Sequence, residues 1–291
     1  MKASTLTGII AGIIAIFGAF LWEGGTLDTL FMLPAMTIVI GGTLAAGLAG
    51  TSFRQMSKIP ALFRVAVSPK KYDIETIIKQ IVEYSTYARR EGILSLESRL
   101  DKLKHPYLKK LFEICIDGAD PQVLQNIAHN EMHHLEERHN SNIGLFEKLG
   151  GYSPTFGIIG TVMGLISVLA SAGSDPEVLI HHIASAFIAT MWGILLANIL
   201  WLPLADKLRT LHDSEMQLME VMLEGVYAVQ LGETPTVIRS RLISALPLYR
   251  QREILRNQKA RFQTLKTNES PSSGNGSKAP AEESEEAKQG G

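Results

Sequence analysis

The chain has 291 residues, of which 46% are hydrophobic, and its formal net charge at pH 7 is −1. This balance excludes the electrostatic attraction on which nonspecific nucleic-acid binding depends, so we expect no nucleic-acid partner. The single cysteine, Cys115, excludes an internal disulfide and is expected to be a small buried core residue.

Four apolar runs contain no Asp, Glu, Lys or Arg, and each is close to the length of about 17–25 residues with which a helix crosses a bilayer. The first run has an alternative interpretation as an uncleaved signal-like segment, but no small-x-small cleavage site follows it. The sequence therefore predicts an all-α integral membrane protein with four transmembrane helices and a helical cytoplasmic domain. The four runs are Leu6–Trp22, Leu30–Ala49, Tyr152–Ala172 and Ile183–Leu204.

Basic residues near the ends of these runs predict the orientation of the chain in the membrane. The connections Glu23–Thr29 and Gly173–His182 contain no Lys or Arg. By the positive-inside rule, both termini and the segment Thr51–Gly151 are therefore predicted to be cytoplasmic. The basic residues at the other ends of the runs are Lys2, Arg54, Lys58, Arg64, Lys70, Arg138, Lys148, Lys207 and Arg209.

The same pattern divides the chain into five segments. Residues 1–50 form a first transmembrane hairpin, 51–150 a helical cytoplasmic domain, and 151–204 a second transmembrane hairpin. Residues 205–266 are predicted to form cytoplasmic C-terminal helices. The tail 267–291 is rich in Ser, Gly, Pro, Glu and Lys, and we expect it to be disordered.

Helix start and stop signals define the cytoplasmic elements. Isoleucines at helical spacing follow Asp73, a suitable N-cap, and Gly92 comes just past the predicted end of this helix. Further helices are predicted over Pro106–Ile116, from Pro121 through Gly151 into the third apolar run, over Ala205–Leu231 and over Val237–Leu246.

Small and hydroxyl residues form a stripe on each of the last two apolar runs. Such stripes suit either tight helix packing or a narrow polar path, and a helical Thr hydroxyl often bonds the carbonyl four residues earlier. A channel that held its own ion would be expected to show a buried carboxylate. The runs contain none, which favours one wall of an ion path whose titratable group belongs to another polypeptide. The stripes are Gly157, Gly160, Thr161, Gly164, Ser167 and Ser171, and Ala186, Thr190, Gly193 and Ala197.

Pro154 and Pro203 lie at the cytoplasmic ends of the third and fourth runs. Each lacks a backbone N–H, and Pro203 leaves the Ile199 carbonyl without its usual helical partner. Because the two helices are expected to be antiparallel, we predict that these prolines lie at similar depth. The pair indicates a place where the cytoplasmic domain pivots against the membrane helices.

Two polar clusters have alternative interpretations. Arg89, Arg90 and Glu97 form either a solvated surface with weak ion pairs or a docking surface for a complementary cytoplasmic partner. A second cluster lies among acidic residues, but its spacing is not H-E-x-x-H, and we predict no metal site there. This second cluster comprises His129, His133, His134 and His139.

Three segments of the chain together carry a resemblance to a known family. The first is Ala88-Arg89-Arg90-Glu91-Gly92 with Leu96-Glu97, the second is Tyr152–Leu165, and the third is Ala186–Gly193 with Leu202–Leu208. The chain resembles the MotA/PomA family, the membrane A-subunits of the bacterial flagellar stator, to about Leu246-Pro247. The resemblance implies a multi-pass protein of the bacterial inner membrane, surrounded by lipid, with no cofactor.

The resemblance also implies partners. Five A-subunits would surround two MotB-like B-subunits, whose transmembrane helices carry the essential Asp. Ion flow through the A/B interface would rotate the A-ring, and the cytoplasmic segment would push the rotor protein FliG.

Residue roles follow from the resemblance position by position. Arg89 and Glu97, with Arg90 beside them, match the rotor-binding charges, and Pro154 and Pro203 match the family's paired prolines. Thr161 and Thr190, with Ala189 beside Thr190, match residues of the ion path.

One departure from the family bears on the translocated ion. Sodium-driven members tend to have two consecutive threonines where this chain has Ala189-Thr190. A sodium ion needs several oxygen ligands, whereas a proton needs only a hydrogen-bonded relay. The missing hydroxyl therefore favours protons over sodium.

Two alternatives belong to other functional classes. An ExbB/TolQ-like protein would use the same ion flow to energise envelope processes, but three transmembrane helices and no Arg-Arg-Glu-Gly element are expected there. A passive membrane scaffold or permease would show no ion dependence. An enzyme is not expected, since no nucleophile–base pair, phosphate loop or metal motif is evident.

Overall fold

The computed structural model of the chain describes residues 4–69, 72–171, 173, 175–244, 246, 248–249, 251–252, 254 and 256. This part is helical, with turns and no strand, which confirms the predicted all-α fold. Its α-helices are α1 (Ser4–Trp22), α2 (Leu27–Leu30), α3 (Leu33–Met36), α4 (Gly42–Ala49), α5 (Phe53–Met56), α6 (Ile59–Val67), α7 (Ile74–Glu91), α8 (Pro106–Ile116), α9 (Pro121–Ala170), α10 (Pro176–Leu195), α11 (Leu202–Gln230) and α12 (Pro235–Ser244). Between them lie π-helical segments at Thr37–Gly41 and Leu196–Trp201 and a 3-10 helix at Ile93–Lys102.

The chain forms two compact units, Met1–Leu242 and Ile243–Gly291. The first holds all the apolar helices together with the segment between the two hairpins. In the second, the Gln251 side-chain amide donates hydrogen bonds to the carbonyl oxygens of Ser244, at 3.1 Å, and Leu246, at 2.7 Å. The predicted disordered tail, 267–291, lies outside the described residues.

Two long antiparallel helices organise the first unit. The 50 residues of α9 begin after Asp120, whose carboxylate accepts the Gln122 N–H at 2.8 Å. The prediction of one helix from Pro121 into the third apolar run is confirmed, and its length is roughly 75 Å. The facing helix is continuous from α10 through the π-helical segment 196–201 into α11.

Length and apolar composition distinguish the candidate membrane spans. In the described ranges, α9 and the helix Pro176–Gln230 are long and apolar enough to cross a membrane. The apolar helices Leu6–Trp22 and Leu33–Ala49 are shorter. The count of four crossings therefore stays a prediction.

The second apolar run differs from the single helix predicted over Leu30–Ala49. α2 ends at Leu30, a new helix begins at Leu33, and the next residues wind as a π-helix before α4. Pro34 explains the break, because proline is favourable in the first turn of a helix but cannot supply an N–H inside one.

Side-chain contacts attach this hairpin to the long helices. The Trp192 indole N–H donates to the Leu30 carbonyl at 2.7 Å, and the Phe31 ring centroid lies 5.5 Å from that of Trp192. Further along, α4 packs on α9, because a Cβ on Gly47 would lie 2.6 Å from the Leu149 side chain. Glycine thus provides the room for a close helix contact.

The predicted boundaries of the cytoplasmic helices α7 and α8 are confirmed. The Asp73 carboxylate accepts the Thr76 N–H at 3.1 Å, and Gly92 ends α7 with φ of 84°. α8 spans Pro106–Ile116 as predicted. Cys115 is buried on α8, and burial raises the pKa of its thiol to about 11.

α11 and the greater part of α12 complete the first unit. α11 begins at Leu202 rather than Ala205, and it packs on α7 where a Cβ on Gly225 would lie 2.8 Å from Ile81. The helix predicted over Val237–Leu246 has wrong boundaries, since α12 begins at Pro235. The Thr234 hydroxyl accepts the Val237 N–H at 3.4 Å, which places the helix start at the proline.

Candidate functional site

Glycines allow α9 and α10 to approach until their backbones touch. A Cβ on Gly193 would lie 2.7 Å from the Ser153 carbonyl oxygen and 3.0 Å from the Gly157 Cα. A Cβ on Gly164 would lie 2.7 Å from the Ala186 Cβ. The two stripes of small residues therefore face each other along one seam between the helices.

This seam brings two predicted ion-path residues together. The hydroxyl oxygens of Thr161 and Thr190 are hydrogen-bonded to each other across the seam. The Thr161 hydroxyl also lies 3.1 Å from the Ala186 carbonyl oxygen and 3.2 Å from that of Gly157, its own fourth preceding residue. The Thr190 hydroxyl lies 3.4 Å from the Gly157 carbonyl oxygen. Both side chains are partly exposed, so the pair lies at the edge of the seam.

The hydrogen-bond capacity of the pair limits its chemistry. Each hydroxyl has one proton and two lone pairs. One proton lies between Thr161 and Thr190, and the other reaches a backbone carbonyl oxygen. The remaining capacity is for accepting hydrogen bonds. The pair can therefore stabilise an incoming donor, such as a protonated carboxyl group or a water molecule, but it cannot ionise itself.

Ala189 does not join the two threonines. It is buried, and its methyl group fills the space beside Gly160, where a Cβ would lie only 2.5 Å away. Its side chain therefore packs inside the seam rather than at the partly exposed edge. A hydroxyl at position 189 would meet α9, so the preference for protons over sodium stays a prediction from the family resemblance.

The expectation that the two prolines lie at similar depth is wrong. Gly157 faces Gly193, and a Cβ on Gly150 would lie 2.6 Å from Leu202, which fixes the register of the helices. By this register Pro154 is level with about residue 196, and Pro203 lies about seven residues further along. The stagger is roughly 10 Å along the helix axis.

The stagger places a π-helical segment between the two prolines. Leu196–Trp201 begins opposite Pro154 and ends just before Pro203. A π-helix interrupts the regular hydrogen-bond ladder, as does a proline inside a helix, and both are common causes of bending. Sequence inspection missed this segment, although Pro203 leaves the carbonyl of Ile199 within it without its usual helical partner.

The predicted rotor-binding residues lie on two consecutive elements, at the end of α7 and in the 3-10 helix that follows it. Arg89 and Arg90 lie in the last turn of α7, and Glu97 lies in the 3-10 helix that follows Gly92. All three side chains are exposed. None of them forms an ion pair with another described residue, so their charges are available to an external partner.

The four histidines of the cluster on α9 do not come together, and His129 is exposed. His133 and His134 both approach Glu137, at 3.6 and 3.3 Å, on an exposed face. His139 instead turns inward, and its Nδ1 atom lies 3.2 Å from Nδ1 of His212 on α11. Among the described residues no group of three or more His, Cys, Asp or Glu side chains could hold a metal ion.

Two family models match most of the chain. The model of the MotA/TolQ/ExbB proton channel family matches residues 99–221, and that of the motility protein A N-terminal region matches residues 6–92. The first covers the hydroxyl pair and the second covers the α7 cations. The match to the motility protein A N-terminal region favours a stator protein over an ExbB/TolQ-like energiser.

Relatives and solved structures indicate the same family as the two family models. The chain is 35% identical to motility protein A of Bacillus subtilis over 248 residues, which is 85% of this chain and 92% of the relative. The fold matches the flagellar MotAB stator complex of Bacillus subtilis with a TM-score of 0.80 at 34% identity, covering 86% of this chain and 98% of that one. The C. jejuni MotAB structure matches with the same TM-score of 0.80 at 24% identity, over 85% of this chain and 97% of that one. The chain belongs to the motility protein A family, the MotA/PomA subunits of the flagellar stator within the MotA/TolQ/ExbB proton channel family.

Proposed function

We propose that this chain, together with a MotB-like B-subunit, couples inward proton flow to torque on the rotor protein FliG. Five copies would surround a dimer of B-subunits, as the family resemblance implies. The family consists of channel and stator subunits rather than enzymes. The hydrogen-bonded pair of Thr161 and Thr190 supports the ion-coupling part of this proposal most directly.

The membrane placement follows from family and composition. The chain is a multi-pass protein of the inner membrane. We place four crossings in the membrane and both termini in the cytoplasm. In support, α9 and α11 carry charges at one shared level below their apolar parts, where the Arg209 guanidinium lies 2.5 Å from the Glu147 carboxylate.

Because the four apolar runs have no charged side chain, the titratable group of the ion path must come from the partner. These runs contain no Asp, Glu, Lys or Arg, so the pair of threonines needs a carboxyl group from the B-subunit. Burying the charged carboxylate in a low-dielectric site is costly, and protonation removes that cost. Each protonation change therefore favours a different neighbouring A-subunit. One elementary charge that crosses 100 mV releases about 2.3 kcal/mol, several times the thermal energy.

The continuity of α9 provides the mechanical link. Thr161 and the cytoplasmic part of the helix belong to one helix of 50 residues, which continues through Pro154. A displacement at the seam is therefore carried over tens of ångströms by a single helix. On α7 and the 3-10 helix of the same cytoplasmic domain, the unpaired charges of Arg89, Arg90 and Glu97 would engage a complementary surface on the rotor, which orients that partner more than it binds it tightly.

Complementation of a flagellated strain without stators tests the proposed function. We expect motility only when this chain is produced together with a MotB-like subunit, and a protonophore should abolish it. The matched control is the same B-subunit with its transmembrane Asp replaced by Asn. Motility with that control, or ion flux from this chain alone, would contradict the proposal. Swimming speed that rises with sodium and survives the protonophore would overturn the assignment of protons.

A further inference from the structure

The segment that carries Glu97 is a geometrically weak element. Ile93–Lys102 forms a 3-10 helix of 10 residues, whereas such helices rarely exceed about four residues because their hydrogen bonds are poorly aligned. It follows Gly92, whose φ of 84° is accessible mainly to glycine. A helix of this kind needs external contacts to hold one conformation.

Buried leucines and one tyrosine hydroxyl supply some of these contacts. Leu96 and Leu100 are 0% and 8% exposed, so their side chains anchor the 3-10 helix in the cytoplasmic core. The Tyr84 hydroxyl on α7 donates a hydrogen bond to the Arg99 carbonyl oxygen at 2.5 Å. Burial raises the pKa of Tyr84, the Glu83 carboxylate adds to this effect, and the Arg99 charge opposes it without reversing it.

The Arg99 side chain makes a second contact with the same helix. Its guanidinium carbon lies 3.7 Å from the centroid of the Tyr87 ring, within the range of a cation–π interaction. Tyr84 and Tyr87 are three residues apart and therefore share one face of α7. One tyrosine holds the backbone of Arg99 and the other holds its side chain.

These contacts constrain the backbone of the 3-10 helix two residues from Glu97. A 3-10 helix has three residues per turn, so side chains two positions apart point in clearly different directions. With Arg99 held against α7, Glu97 is exposed, as the structure describes it. Arg99 forms no ion pair with a described carboxylate, so its charge is directed to the ring.

We propose that Arg99 is a positioning residue: held by Tyr84 and Tyr87, it fixes Glu97 relative to Arg89 and Arg90 on the docking surface. The proposal deepens the function proposed above and rests on it. In a rotor contact made through exposed charges, the relative placement of the opposite charges determines how the partner is oriented. A clamp between α7 and the 3-10 helix keeps that placement constant while the load changes.

A double-mutant cycle in the full complex tests the proposal. We expect Arg99→Gln and Tyr87→Leu each to lower swimming speed about two- to fivefold, with normal ion flux and membrane abundance. The double variant should be no slower than either single one, and Tyr87→Phe, which keeps the ring, should match the parent. Additive losses would overturn the clamp, as would a slow Arg99→Gln with a normal Tyr87→Leu, because Arg99 would then act as a docking charge itself.

A distance measurement tests the clamp directly, even if a variant is less abundant in the membrane. Spin labels on the exposed positions Glu91→Cys and Ser98→Cys report the separation of α7 and the 3-10 helix in the purified full chain. Cys115 is buried with a raised pKa, so it should resist labelling. We expect a narrow distance distribution in the parent and with Tyr87→Phe, and a broad one with Arg99→Gln or Tyr87→Leu. Unchanged distributions would overturn the proposal.

Arg89→Glu, included in the motility assay, distinguishes a failure of the docking surface from a failure of the clamp. If it leaves motility normal, the docking surface itself is wrong, while the label distances still decide the clamp. If it abolishes motility and the clamp variants do not, only the role of Arg99 fails.

Discussion

Gly193 lies so close to Gly157 that a Cβ on Gly193 would come within 3.0 Å of the Gly157 Cα and within 2.7 Å of the Ser153 carbonyl oxygen. The neighbouring atoms are backbone, which cannot rotate away as the end of a side chain can. This contact holds α9 and α10 at the separation at which Thr161 and Thr190 share a hydrogen bond.

We therefore expect Gly193→Ala to separate the two helices and weaken the hydroxyl pair. The overpacked methyl group should cost about 1–3 kcal/mol, and ion flux should fall with it. The matched control is Gly144→Ala on α9, where a Cβ meets no atom within 4 Å. Thermal unfolding and ion flux of both variants check the prediction, and a Gly193→Ala protein with parental flux would contradict it.

Pro154→Ala should lower the torque without lowering the melting temperature. The added N–H can bond the Gly150 carbonyl, and alanine is favoured over proline inside a helix by about 3 kcal/mol. We expect an unchanged or higher melting temperature but lower torque, because the helix bends less opposite the π-helical segment 196–201. Pro121→Ala, at the start of the same helix, should change neither quantity. Normal torque in Pro154→Ala would contradict a pivot at this position.

Charge reversal at Arg89 or Glu97 should impair motility without closing the ion path. Arg89→Glu and Glu97→Arg change charges that form no ion pair with described residues, so the folded chain should tolerate them. We expect a several-fold loss of swimming speed with normal flux. Lys102→Glu, at the far end of the same 3-10 helix, should stay close to the parent. Loss of flux in a normally assembled Arg89→Glu complex would move this residue from the docking surface to the ion path.

The contact of His139 with His212 predicts a pH-dependent stability. Burial lowers the pKa of His139, and although Glu215 acts in the opposite direction, His212 and Arg138 lower it further. The unfolded chain therefore binds more protons than the folded one as pH falls through about 6.5. The free energy of unfolding should decrease on acidification until the folded-state pKa is passed. Burial also lowers the pKa of His105, so that residue contributes a slope of the same sign.

Thermal unfolding of the purified chain between about pH 7.5 and about pH 5.5 measures this effect. His139→Gln should reduce the loss of melting temperature on acidification. His129→Gln, on an exposed position of the same helix, should leave it unchanged. An identical pH profile for His139→Gln would contradict the prediction.

The sequence predicts the elements of this fold where local chemistry determines them. Asp73 caps α7, Gly92 ends it, and proline starts both α8 and α9, because each residue acts on the backbone a few positions away. The facing stripes of small residues were predictable for the same reason. Helical spacing alone puts Thr161 and Gly157 on one face.

Features that depend on contacts across the fold were not predictable in this way. The register of α9 against α11, set where Gly150 meets Leu202, staggers the prolines and encloses the π-helical segment. His139 pairs with a residue 73 positions away. Ala189 faces the seam instead of the hydroxyl pair, because Gly160 leaves room there for the Ala189 methyl group. Each of these follows from packing between helices, which a single sequence does not reveal.

Proton flux through the assembled complex, with valine or serine in place of Thr161 and Thr190, tests the central claim most directly. Valine keeps the shape of threonine but removes the hydroxyl, whereas serine keeps the hydroxyl. A lost hydrogen bond to a charged or ionising group is worth about 1.5–3 kcal/mol, so flux should fall about tenfold or more in each valine variant and recover with serine. A complex carrying both valines that conducts like the parent would contradict the claim that this pair of hydroxyls serves the partner's carboxyl group.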